Sequence, residues 1–115
     1  MIPKKQLEKI RRALEECRNP FFFFHDDVDG LCSFLILYKF KMEGYFHIVK
    51  KRPYIDESYV KLVPADCDKV FILDIAVVTQ EFVDSVKAPV VWIDHHEPVE
   101  IKKCKYFNPR KENPE

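Results

Sequence analysis

The chain has 115 residues, 47% hydrophobic and 14% aromatic, enough apolar surface for one compact domain with a core and too little length for two. Nineteen basic residues balance nineteen acidic ones, which excludes a chain-wide field that steers polyanions and leaves any nucleic-acid contact to a local patch. Cys17, Cys32, Cys67 and Cys104 are widely spaced, and neither a secretory signal nor an apolar run of membrane-spanning length occurs, so they are read as free thiols of a cytoplasmic protein with no membrane partner.

The single domain, residues 1–115, begins with a predicted helix over 3–17. Pro3 suits a first turn, and Leu7, Ile10, Leu14 and Cys17 recur at helical spacing. Arg18-Asn19-Pro20 stops it. Phe21-Phe22-Phe23-Phe24 then reads as a strand buried on both faces, ending abruptly in His25-Asp26-Asp27-Val28-Asp29-Gly30. Gly30 is expected to open a second helix, apolar over much of its circumference and packed on the sheet, that runs to about Glu43 with Gly44 as its cap. Tyr45 to Val49 reads as the second strand, with His47 a half-exposed residue within it, and is followed by the basic cluster Lys50-Lys51-Arg52.

A short helix is expected over Glu57 to Leu62. Val70-Phe71-Ile72-Leu73-Asp74 repeats the pattern of an apolar strand closed by a carboxylate, before a helix near Gln80 to Lys87. Pro89 to Ile93 repeats it again and closes in Asp94-His95-His96, and Lys105-Tyr106-Phe107 forms a last short strand. Strands alternating with helices predict an α/β fold, an open, mainly parallel sheet of four to five strands with flanking helices. In such a sheet the carboxyl ends of different strands converge on one edge, where ligands bind, so His25, Asp27, Asp29, Asp74, Asp94, His95 and His96 are expected at one site.

Each cluster alone has a plain explanation: a helix cap at Asp27 or Asp29, a turn at Asp74, a chance pair of histidines. Three apolar strands that each deliver Asp or His to the same edge instead indicate a metal or catalytic site, while Asp26 is expected to point elsewhere. Carboxylate oxygens mixed with imidazole nitrogens, with no clustered thiolate, suit Mn²⁺ or Mg²⁺, with Zn²⁺ or Fe²⁺ as alternatives. The number of ligands is sufficient for two ions, the arrangement that supports phosphoryl transfer. Lys51, Arg52 and Arg110 are the candidate phosphate contacts, against the alternatives of a solvated turn and ordinary surface charge.

The three motifs in order, His25-x-Asp27-x-Asp29-Gly30, Asp74 after an apolar strand, and Asp94-His95-His96, resemble the DHH phosphoesterase superfamily, closest in wording to its RecJ-like members. The resemblance covers about Phe21 to Arg110, and Asn108-Pro109 is similar to a further family feature. It implies a phosphodiesterase or nuclease that uses two Mn²⁺ ions to activate water. His25 and Asp27 would ligate one ion, Asp29 and His95 the other, with Asp74 as the bridge. His96 would contact the scissile phosphate and Asp94 would orient the histidine pair. The implied substrate is a phosphodiester, single-stranded nucleic acid or a short oligonucleotide. Family members normally add a further aspartate beyond the Asp-His-His and a substrate-holding carboxyl-terminal domain. The chain is therefore expected to be the amino-terminal portion of such a protein, or a half-domain completed by a partner chain, with weak or no turnover alone. The rival reading is a catalytically silent interaction module in a nucleic-acid-processing complex.

Overall fold

A computed structural model describes residues 4–41, 45–50, 52 and 54–109. In chain order the elements are α1 (Lys4–Glu15), β1 (Pro20–His25), α2 (Val28–Lys41), β2 (Tyr45–Val49), β3 (Tyr54–Ile55), a 3-10 helix (Glu57–Leu62), β4 (Lys69–Leu73), β5 (Val77–Val78), α3 (Gln80–Ser85), β6 (Val90–Ile93) and β7 (Lys105–Phe107).

Five strands form one sheet in the order β2-β1-β4-β6-β7, and all four neighbouring pairs are parallel. The expected α/β architecture is thus borne out. The order reverses between β1 and β4, the place where open parallel sheets form a crevice at the carboxyl ends of their strands. Successive side chains on a strand face opposite ways, so the aromatic run of β1 supplies two cores at once. Phe21 and Phe23 pack with Val70, Ile72, Val90, Trp92 and Phe82 on one side of the sheet. Phe22 and Phe24 pack with Phe71, Leu73, Val91 and the α1 and α2 residues Leu14 and Phe34 on the other. All four phenylalanines of β1 are buried, and Trp92 is core as well.

Several boundaries differ from the sequence reading. Tyr54–Ile55 and Val77–Val78 form a separate two-stranded parallel sheet that segments of two residues cannot announce by periodicity. The helix expected to end at Lys87 stops at Ser85, after Thr79 Oγ1 accepts from the Phe82 N–H at 3.2 Å and caps its start. Gly30 does not open α2. The helix begins at Val28, the Asp27 carbonyl accepts the Leu31 N–H at 3.1 Å, and the turn out of β1 is made by Asp26 and Asp27. α2 packs through Phe34, Leu37 and Tyr38, whereas Leu31, Leu35 and Ile36 remain exposed, so only one face meets the sheet. The expected Gly44 cap, Pro3, Lys51 and Arg110 lie outside the described residues. His47 is half-buried in β2, its ring against those of Phe23 and Tyr59.

Candidate metal centre

The hydrogen-bond ladder extends one residue beyond each of three strands. Asp26 N–H donates to Val49 O at 3.2 Å, Asp74 N–H to Ile93 O at 2.9 Å, and Asp94 N–H to Phe107 O at 3.0 Å. Each exit residue is thereby pinned to the end of the neighbouring strand, and the side chains around it are aimed by the sheet rather than by a free loop. Asp74 completes its exit in the left-handed region, at φ 57°. A residue with a Cβ is uncommon there, although aspartate tolerates it better than most, and such positions concentrate at functional sites.

Two groups of ligand-type side chains result, His25 with Asp27 and Asp74, and Asp74 with Asp94, His95 and His96; within each, one ligand atom per residue lies within 4.8 Å of the others. Asp74 is common to both. Its side chain is buried and neither oxygen accepts a hydrogen bond of good geometry, although His95 Nε2 stands 2.8 Å from Oδ1. Burial and the adjacent Asp27 carboxylate push its pKa up to about 6, against an opposing pull from His95 and His96. A buried carboxylate without donors is costly unless a positive charge supplies the missing partner.

The histidines are held by acids. His25 Nδ1 donates to Asp27 Oδ2 at 3.0 Å, and His96 Nδ1 donates to Asp94 Oδ1 at 2.6 Å. A carboxylate only accepts, so each Nδ1 carries a proton. Asp94 also takes the His96 backbone N–H on Oδ2 at 3.0 Å. The His95 and His96 rings stack with centroids 4.7 Å apart, and the His95 side chain is 56% exposed.

The structure thus brings together His25, Asp27, Asp74, Asp94, His95 and His96. Asp29 lies in the first turn of α2, but its side chain is outside what the structure describes. Asp26 is exposed, 3.7 Å from His25 Nε2. Arg52 follows the carboxyl end of β2 with its guanidinium over the Tyr54 ring at 5.7 Å, and none of its described contacts joins it to the acids and histidines. Sequence reasoning gave no site role to Asn108, which is fully buried and donates from Nδ2 to His96 O at 2.9 Å. The available signal was the Asn108-Pro109 pair just past the last strand, which is similar to a family feature.

The model of the DHH family, N-terminal domain, matches residues 21–115. The chain belongs to the DHH family. Comparison with curated proteins gives no match. Membership places this DHH chain in a metal-dependent phosphoesterase superfamily, and its acid and histidine cluster has the composition to hold a metal. Among the described residues no helix is long and apolar enough to cross a membrane. None of the four cysteines forms a disulfide among the described residues.

Proposed function

We propose that this DHH domain is the metal-binding part of a Mn²⁺-dependent phosphodiesterase or nuclease that takes two ions and acts on single-stranded nucleic acid or a short oligonucleotide. The observation that carries the reading is Asp74, a buried carboxylate shared by two ligand groups with neither oxygen satisfied by a hydrogen bond. In this reading His25 and Asp27 would hold one ion and Asp29 and His95 the other, with Asp74 available to both. Oxygen and imidazole donors without thiolate favour Mn²⁺, with Mg²⁺ as the alternative. When bound, the ions supply Lewis-acid charge for the phosphate and lower the pKa of water.

The remaining work belongs to the chain. Asp27, distant from Asp74 in sequence but beside it in the fold, is the carboxylate whose repulsion bound cations would relieve. Asp94 accepts from His96 Nδ1 and so would fix the orientation in which the ring meets the substrate phosphate. Arg52, with Lys51 and Arg110, would meet flanking phosphates as point charges. Substrate length and polarity are read by a further domain or partner chain that completes the site.

The test is calorimetric titration of the metal-free protein with Mn²⁺, followed by hydrolysis of a model phosphodiester by the longest open reading frame containing this domain. Two bound ions and Mn²⁺-dependent hydrolysis are expected. Absence of divalent-cation binding would sink the reading, and binding without hydrolysis by the longer protein would favour the interaction module.

A further inference from the structure

We infer that Asn108 is a positioning residue for the histidine pair, acting through the backbone of His96. The inference rests on the metal-centre reading only for its consequence in cation affinity; the geometry stands without it.

Asn108 follows the edge strand β7 and is completely buried. Its amide nitrogen has two hydrogens, and both are used: one goes to His96 O at 2.9 Å, the other to Tyr106 Oη at 3.1 Å. Tyr106 in turn stacks on Trp92, centroids 4.0 Å apart and rings nearly parallel at 11°. Trp92 Nε1 donates to Ile75 O at 2.8 Å, one residue past Asp74. Beneath the cluster, therefore, a row of neutral side chains connects the backbone beside Asp74 with the carbonyl of His96. Trp92 and Tyr106 are both fully buried, so the row is shielded from water and its hydrogen bonds have no solvent competitor.

The row gives His96 a third anchor. Asp94 holds its ring and its N–H, and Asn108 holds its carbonyl, so rotating the peptide plane after His96 breaks the bond to Asn108. Residues from His96 to Ile101 form no helix or strand, so no ladder substitutes for that anchor. A donor is required at this point and a neutral one suits it, because a cationic donor would repel a metal ion and compete for the carboxylates. An amide meets both requirements, and its fork reaches the carbonyl and the phenol together.

The experiment compares Asn108→Ala with Tyr106→Phe, which keeps the ring stack and the bond to His96 but removes the phenol. The first readout is the imidazole nitrogen spectrum of the metal-free protein. Asn108→Ala is expected to convert the His96 ring from one tautomer to an exchanging mixture, and Tyr106→Phe to leave it as in wild type. The second readout is the Mn²⁺ dissociation constant, expected to rise about 10-fold for Asn108→Ala, because the His96 ring stacks on that of the proposed ligand His95 and losing a group that orients a ligand costs about 10- to 100-fold, and to stay near wild type for Tyr106→Phe. A lowered melting temperature with unchanged His96 nitrogens would overturn the inference and leave Asn108 a core residue. If Asn108→Ala does not fold, the wild-type protein decides: its Asn108 side-chain amide protons must exchange slowly, and rapid exchange in the folded protein also overturns the inference. If wild type binds no Mn²⁺, the functional reading fails, while the nitrogen spectra still decide the role of Asn108.

Discussion

Two aspartates flank the central strand β4, Asp68 just before it and Asp74 just after, and their surroundings are opposite. Asp68 accepts from Cys17 Sγ at 2.8 Å, from Arg18 N–H at 2.8 Å and from Asn19 N–H at 2.9 Å, which ties the end of α1 to the amino edge of the sheet. Partial burial works to raise its pKa, but these donors outweigh it and hold the carboxyl at about 2. Asp74, at the carboxyl edge, is buried, accepts no hydrogen bond of good geometry on either oxygen, has only the His95 ring close by, and rises to about 6. One acid is surrounded by the protein's own donors and stabilises the fold. The other is short of donors, and a buried acid with a raised pKa is the environment in which functional carboxylates are found.

The sharpest way to break this contrast is Asp74→Asn. It removes a buried charge while keeping a residue that tolerates positive φ, so the metal-free protein should gain about 1–3 kcal/mol at pH 7. Thermal unfolding should show a rise of several degrees. Mn²⁺ affinity should fall by more than ~100-fold, beyond the loss typical of an orienting residue. A metal-free protein destabilised by Asp74→Asn would show that the carboxylate is satisfied after all.

The pH dependence of the metal-free fold should show both acids. Asp74 has a raised folded pKa, so the unfolded chain gives up its proton first and stability falls as pH rises from about 3.8 to about 6. Asp68 has a depressed folded pKa, so its contribution is present above about 3.8 and is lost as pH falls toward about 2. Denaturant unfolding between these limits should give a maximum near pH 4 from the pair. Saturating Mn²⁺ should abolish the high-pH decline, and a decline that persists would argue against Asp74 as a ligand.

Asp68→Ala is expected to cost about 1–2 kcal/mol, discounted for its exposure, with Mn²⁺ binding unchanged in calorimetry. A matching loss of affinity would mean that the two edges are mechanically coupled. The smallest effect belongs to Arg52→Ala. An exposed cation over an aromatic ring is worth about 0.5 kcal/mol, so stability should barely move, while retention of a single-stranded oligonucleotide should weaken and lose part of its salt dependence.

Most of the fold was legible because the aromatic and aliphatic runs of β1, β4 and β6 can only be buried strands, and each ends in residues that no core accepts. Phe21 to Phe24 followed by His25 states both facts within five residues. The approach of Asp27 to Asp74 was not legible, since it depends on strand order. Nor was the left-handed backbone at Asp74, because aspartate at a strand exit is compatible with an ordinary turn. Gly30 was misread because glycine so often starts or stops helices, yet here the Asp27 carbonyl had already begun the helical ladder. Asn108 went unassigned because its partner, His96 O, is a backbone atom, and backbone acceptors leave no trace in a sequence.

The sheet order also bears on how the protein folds. β1 pairs with β4 across a register that joins Pro20 to Lys69, so the centre of the sheet forms only after a long stretch of intervening chain has closed. Loop closure of this kind is an entropic cost met before the contacts that repay it, and parallel pairings of high sequence separation are slow. The His25, Asp27 and Asp74 group cannot exist until that pairing is complete. In a refolding experiment the capture of Mn²⁺ should therefore lag behind helix formation. A cation that meets its ligands only after the barrier leaves the folding rate unchanged and slows unfolding, lengthening the lifetime of the native chain instead of hastening its arrival.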